Sequence, residues 1–170
     1  MKYTRDQLIK QIRQTARSIG FPEQVAVVQL ARESANFADA VVYGPRLGSS
    51  GERGLAQFMP ATWARFGAGM HQNAYDPDAS LQAWANYINY LRGLFGEDLT
   101  KILQGYNGGE GNVQRGTVSS AAQRYAAEIL SQAGTMAGTG TGELDLLEGQ
   151  TPWLLIGGVA LIVLLIVLDD

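Results

Sequence analysis

The stretch PEQVAVVQLARESANF, Pro22 to Phe37, sets the reading of this chain. A proline suits the first turn of a helix, because its φ is already helical and its missing N–H would lack a partner there. From Glu23 to about Glu33 the pattern predicts a helix built around the apolar run VAVVQLA, Val25 to Ala31. Charged residues are rarely buried unless paired. Glu33, at the end of that run, is therefore either the cap of a core helix or a carboxyl group held in a cleft to move a proton.

Working outward, helical patterns dominate. Upstream, Leu8, Ile9, Ile12, Ala16 and Ile19 recur at helical spacing. Thr4 with Gln7 forms a capping box ahead of them, and Gly20 ends the segment. Downstream, about Ala38 to Arg53 is irregular and rich in Gly, Ser and Pro, and a loop of that length in a compact domain is usually functional. Residues 54–66, GLAQFMPATWARF, are part-helical, with Pro60 as an interruption or a new start. Asp76 or Asp78 caps a long helix with an apolar face of Leu81, Trp84, Ala85, Ile88, Leu91 and Leu94. A short helix over about Asp98 to Gln104 leads into a turn, GYNGGEGN. Ser119 or Ser120 starts a last helix carrying Ala122, Tyr125, Ala126, Ile129 and Leu130. With no strand pattern of useful length, residues 1–132 are expected to be a predominantly α domain.

The remainder is different in kind. Residues 1–132 hold all thirteen basic residues and eleven acidic ones, whereas residues 133–170 hold five acidic residues and no basic one. Residues 133–150, rich in Gly and Thr, read as a flexible acidic linker. Residues 151–168, TPWLLIGGVALIVLLIVL, carry no charge. As a helix they would span roughly 27 Å, enough for a single C-terminal transmembrane helix, with Trp153 at the lipid interface. The lipid membrane is thus an expected partner. The N-terminus lacks the apolar core of a signal peptide.

Composition narrows the chemistry. The chain has no cysteine, so thiolate metal sites and cysteine nucleophiles are excluded. Its one histidine, His71, sits in a loop-like segment, and there is no G-x-S-x-G turn. No metal or cofactor is expected. The weak positive balance of residues 1–132 does not argue for nucleic acid. What stands out are polar and aromatic residues beside glycines and helix ends: Glu33-Ser34, the run Gly54 to Pro60, and Tyr106-Asn107-Gly108-Gly109. Gln57 and Asn107 offer paired donors and acceptors suited to sugar hydroxyl and acetamido groups. A carboxyl group behind an apolar helix has its pKa raised by desolvation, as a general acid at a glycosidic bond requires.

Taken in order, "ES" with a following aromatic (Glu33, Ser34, Phe37), "GLAQFMPATW" (Gly54 to Trp63), "YDP" (Tyr75 to Pro77), "ANYINYL" (Ala85 to Leu91), "GYNGG" (Gly105 to Gly109) and Tyr125 resemble the SLT-domain lytic transglycosylases. The resemblance covers about residues 5–132 and implies a lysozyme-like fold of the goose-type/SLT kind. It implies that Glu33 is the single acid/base cleaving the β-1,4 bond between N-acetylmuramic acid and N-acetylglucosamine in peptidoglycan, with closure of a 1,6-anhydro ring. The substrate's acetamido group assists, so the scheme departs from the usual two carboxylates. Ser34, Gln57, Met59, Tyr106, Asn107 and Tyr125 are the implied substrate-binding residues. A loop serine of some members falls, without gaps, on Gly48, for which Ser49 or Ser50 is the substitute. A hydrolytic goose-type reading would need a second carboxylate, with Glu52, Asp39 and Asp76 as candidates. A non-catalytic, membrane-anchored wall-binding module would dispense with the acid. Short SLT domains with a C-terminal span resemble virion-associated transglycosylases of bacteriophages, which open the wall for genome delivery. Other virion proteins, or those of a bacterial secretion or conjugation complex, are then further partners.

Overall fold

A computed structural model describes residues 2–67 and 73–138. His71, most of the expected linker and the expected membrane span lie outside them. Among the described residues eight helices follow one another: α1 (Arg5–Ser18), α2 (Glu23–Glu33), α3 (Asp39–Val42), α4 (Pro60–Phe66), α5 (Pro77–Phe95), α6 (Leu99–Gly108), α7 (Glu110–Gln114) and α8 (Ser120–Gly138). Among the described residues β structure amounts to one isolated antiparallel bridge, Arg53 with Phe58, and no helix is long and apolar enough to cross a membrane.

Local chemistry explains the first elements. The Thr4 side chain accepts from the Gln7 N–H while the Gln7 side chain accepts from the Thr4 N–H, so two orphan donors of α1 are satisfied. At its other end the Phe21 N–H donates to Ala16 O and the Gly20 N–H to Arg17 O, with Gly20 at φ +67°. That is a Schellman stop, which needs a left-handed residue where glycine stands. Asp76, rather than Asp78, caps α5 by accepting from the Ala79 N–H.

The core forms where these helices meet. α2 packs between α1 and α8, while α5 packs on α1, α4 and α6. Val25 to Leu30 of α2 are all buried, and Trp84, Ile88 and Leu91 of α5 are fully buried. Phe21 meets Trp84 edge-on, with centroids 5.7 Å apart. The Arg92 guanidinium of α5 donates to Ile19 O, fastening α1 to α5. Leu94, expected on the apolar face, is instead 38% exposed.

Three boundaries differ from expectation. α6 does not stop at Gln104 but continues through Tyr106 and Asn107 to Gly108. A Cβ on Gly105 would lie 3.1 Å from both Leu91 and Phe95, so this glycine lets α6 approach α5 and does not end a helix. The break comes at Gly109, at φ +85°, and the rest of the expected turn forms α7. The long loop contains the single turn α3. Finally, α8 runs to Gly138 with Ala133 buried in the core, so helix persists past the expected linker boundary at residue 133.

Candidate active site

Glu33 is the last residue of α2, and the chain turns sharply after it. Ala35, Asn36 and Phe37 all have positive φ, at 51°, 58° and 64°. Left-handed residues with side chains cost roughly 1–2 kcal/mol each, so local preference opposes this turn. Ser34 and Phe37 hold it. The Ser34 hydroxyl donates to Leu30 O at 2.6 Å and accepts from the Phe37 N–H at 3.1 Å, and both residues are buried. Ser34, expected to bind substrate, stands in the structure as a buried turn-forming residue with its hydroxyl engaged by backbone on both sides.

A cavity of about 170 Å³ opens beside Glu33, lined by Glu33, Glu52, Gln57, Phe58, Met59, Thr62, Tyr87, Tyr106 and Asn107. Four of the expected binding residues, Gln57, Met59, Tyr106 and Asn107, therefore converge on it. Gln57 is held at φ +49° by a tight turn: its side-chain amide donates to Gly54 O at 2.8 Å. Phe58 packs as a buried floor against Trp63, Tyr87 and Tyr106. The Tyr106 hydroxyl donates to Ala56 O at 2.7 Å, which pins α6 to that turn and leaves the exposed Asn107 beside the opening.

Two other residues stand elsewhere than expected. Ser49 is exposed and does not line the cavity; Gly48 packs against two residues that do, since a Cβ there would fall 2.2 Å from Glu52 Oε2 and 3.0 Å from Gln57 Oε1. The missing side chain makes room for the Glu52 carboxylate, itself anchored by the Ser50 N–H at 2.9 Å. Tyr125 is buried and does not reach the cavity; its hydroxyl donates to Glu33 Oε1 from behind. The structure places it as a hydrogen-bond partner of Glu33.

The electrostatics follow from this packing. Although Glu33 keeps some solvent contact, its surroundings are nearly all protein, and burial pushes its pKa up to about 7. The Tyr125 hydrogen bond and the Arg32 charge pull the other way, and Glu52 adds a smaller upward push. Arg32 is itself spread between Glu128, with which it is paired, and the Tyr125 ring face, 5.3 Å away. Of the three carboxylates considered as second groups, Asp39 pairs with Lys2 at the surface and Asp76 caps α5. Glu52 shares the cavity with Glu33.

Sequence reading passed over Gln29 and Trp84, which stand in line behind Tyr125. The Trp84 Nε1–H donates to Gln29 Oε1 at 3.2 Å, and Gln29 Nε2–H donates to the Tyr125 oxygen at 3.3 Å. The signal was present: Gln29 is the one polar residue within VAVVQLA, and a buried amide must find partners. It also passed over Tyr87 and Glu110. Glu110 accepts from Tyr87, Tyr90 and Arg65, tying α7 to the wall of the cavity.

One comparison bears on the chain as a whole. A family model described as the transglycosylase SLT domain matches residues 10–129, which contain every residue of this site.

Proposed function

The chain belongs to the transglycosylase SLT domain family, of lysozyme-like lytic transglycosylases acting on peptidoglycan, and we propose that Glu33 is its acid/base and that its product carries a 1,6-anhydromuramoyl end. The observation that supports this reading is a carboxyl group with a pKa near 7 at the wall of a cavity lined by Gln57, Met59, Tyr106 and Asn107. Near neutral pH such a group is divided between its two forms and can act in both directions. In the first step protonated Glu33 gives its proton to the glycosidic oxygen as the bond from C1 of N-acetylmuramic acid breaks. In the second the Glu33 carboxylate takes the proton of the C6 hydroxyl while O6 bonds to C1. The proton returns to Glu33 and no water is consumed.

Two outcomes follow from one preparation of digested peptidoglycan. Mass spectrometry should find muropeptides lighter by one water than their reducing counterparts. The rate at limiting substrate should fall as pH rises through about 7, because the first step needs Glu33 protonated. Reducing ends throughout would replace this reading with a hydrolytic one. That second reading has a specific observation behind it: Glu52 stands in the same cavity, where a carboxylate can take a proton from attacking water.

The proposal extends to location. Residues 151–168 would anchor the domain in a membrane, and wall opening during phage genome delivery brings such a chain to peptidoglycan from outside the cell. A wall-remodelling role in a bacterial secretion or conjugation complex is the other setting. Detection of the protein in purified virus particles supports the first, and its absence from them overturns it.

A further inference from the structure

The chain of hydrogen bonds behind Glu33 has a direction, and elementary donor chemistry sets it. An indole N–H can only donate. Trp84, fully buried on α5, therefore compels the Gln29 amide to turn its oxygen toward Nε1. The Gln29 Nε2–H then points the other way, to the Tyr125 oxygen. With an N–H donated to that oxygen, the one proton of Tyr125 goes to Glu33 Oε1. Flipping the amide would set an N–H against an N–H and leave buried donors unpaired.

The two oxygens of Glu33 thereby differ. Oε1 is engaged from behind, while Oε2 has no hydrogen bond among the described residues. Since no described buried side-chain oxygen lacks a partner, Oε2 has solvent contact, on the side where Glu33 lines the cavity. We propose that Gln29, oriented by Trp84, is a positioning residue: it fixes Tyr125 as a donor to Glu33 Oε1, so that Oε2 carries the acidic proton into the cavity. This rests on reading Glu33 as the acid. The other groups acting on it are Arg32 on the same helix, Glu52 from the loop and Tyr106 from α6. None of these three belongs to the chain running from Trp84.

Because the Tyr125 bond favours the charged carboxylate, disorienting it should raise the Glu33 pKa. The test is a ¹³C-carboxyl NMR titration of Glu33 in the full-length chain. Gln29→Leu should move the midpoint up by about 0.5–1 unit and Tyr125→Phe by at least as much. The double variant should titrate as Tyr125→Phe does, because Gln29 acts through Tyr125. The fall of rate with pH should shift alongside. An unmoved midpoint in folded Gln29→Leu, or a double variant whose shift is the sum of the singles, overturns the proposal. Should Gln29→Leu fail to fold, Trp84→Phe removes the N–H that orients the Gln29 amide and must raise the midpoint; an unchanged value there overturns it equally. The titration needs no turnover, so wild type releasing no anhydro ends would refute the functional reading and leave this one standing.

Discussion

Glu33→Gln should abolish wall cleavage and make the protein more stable at neutral pH. The activity loss should be about 10²–10⁴-fold, the usual worth of a general acid/base. KM should change little, because the amide keeps the shape of the side chain and can still accept from Tyr125. The stability gain follows from linkage. Burial raises the folded pKa of Glu33 from 4.5 to about 7, so between these values the folded state holds the proton more tightly than the unfolded chain does. Stability is thus fullest below pH 4.5 and falls as pH rises through the window toward 7. At neutral pH the loss amounts to roughly 3 kcal/mol at most, and glutamine does not suffer it. Thermal melts of both proteins at about pH 4 and pH 7 would decide the matter. The variant should match wild type in acid and melt several degrees higher at neutral pH. A variant no more stable than wild type at pH 7 would mean that Glu33 is not held against desolvation. The same burial that would suit Glu33 to acid catalysis makes it a burden on the fold, a frequent trade at functional sites.

The second large effect falls on a glycine. Gly54 sits at φ +71°, and a Cβ there would lie 1.6 Å from Ala74 O and 2.6 Å from Ala74 C. Both atoms are backbone, so Gly54→Ala must push apart the turn that carries Gln57 and the segment leading into α5. We expect a loss of about 3–5 kcal/mol, at the upper end for a single substitution. Activity should fall with it, since the Gly54 carbonyl holds the Gln57 side chain. Gly51→Ala is the matched control. Its φ of +95° is also unfavourable for alanine, but no atom lies within 4 Å of the added Cβ. It should lose only about 1 kcal/mol. Denaturant melts of the pair would separate collision from backbone preference, and equal losses would discard the close-approach account of Gly54.

That contrast shows where the sequence stops being informative. Both glycines look alike in sequence, each in a loop before "LAQF". Only the position of Ala74, brought in from twenty residues away, distinguishes them. Ser34 and Tyr125 teach the same lesson. The resemblance marks both as substrate-binding residues, but which groups a hydroxyl meets depends on what else has packed around it. Gly105 looked like the start of a turn because glycine commonly ends helices; here it is the point at which α6 rests on α5.

What the sequence by itself determined is local or periodic: the Thr4–Gln7 box, the Gly20 stop, the buried run of α2, the long face of α5, and the candidate acid at a helix end. These depend on groups three or four residues apart, and one stretch of chain contains them. The tertiary structure alone decided that Glu52 shares the cavity, that Gly48 packs against Glu52 and Gln57, and that Trp84, Gln29 and Tyr125 stand in line behind Glu33. The links of that line join residues 55 and 96 positions apart. A buried amide can announce that it needs partners; which ones it finds is settled by the packing of α2 against α8 and of α5 on the helices around it.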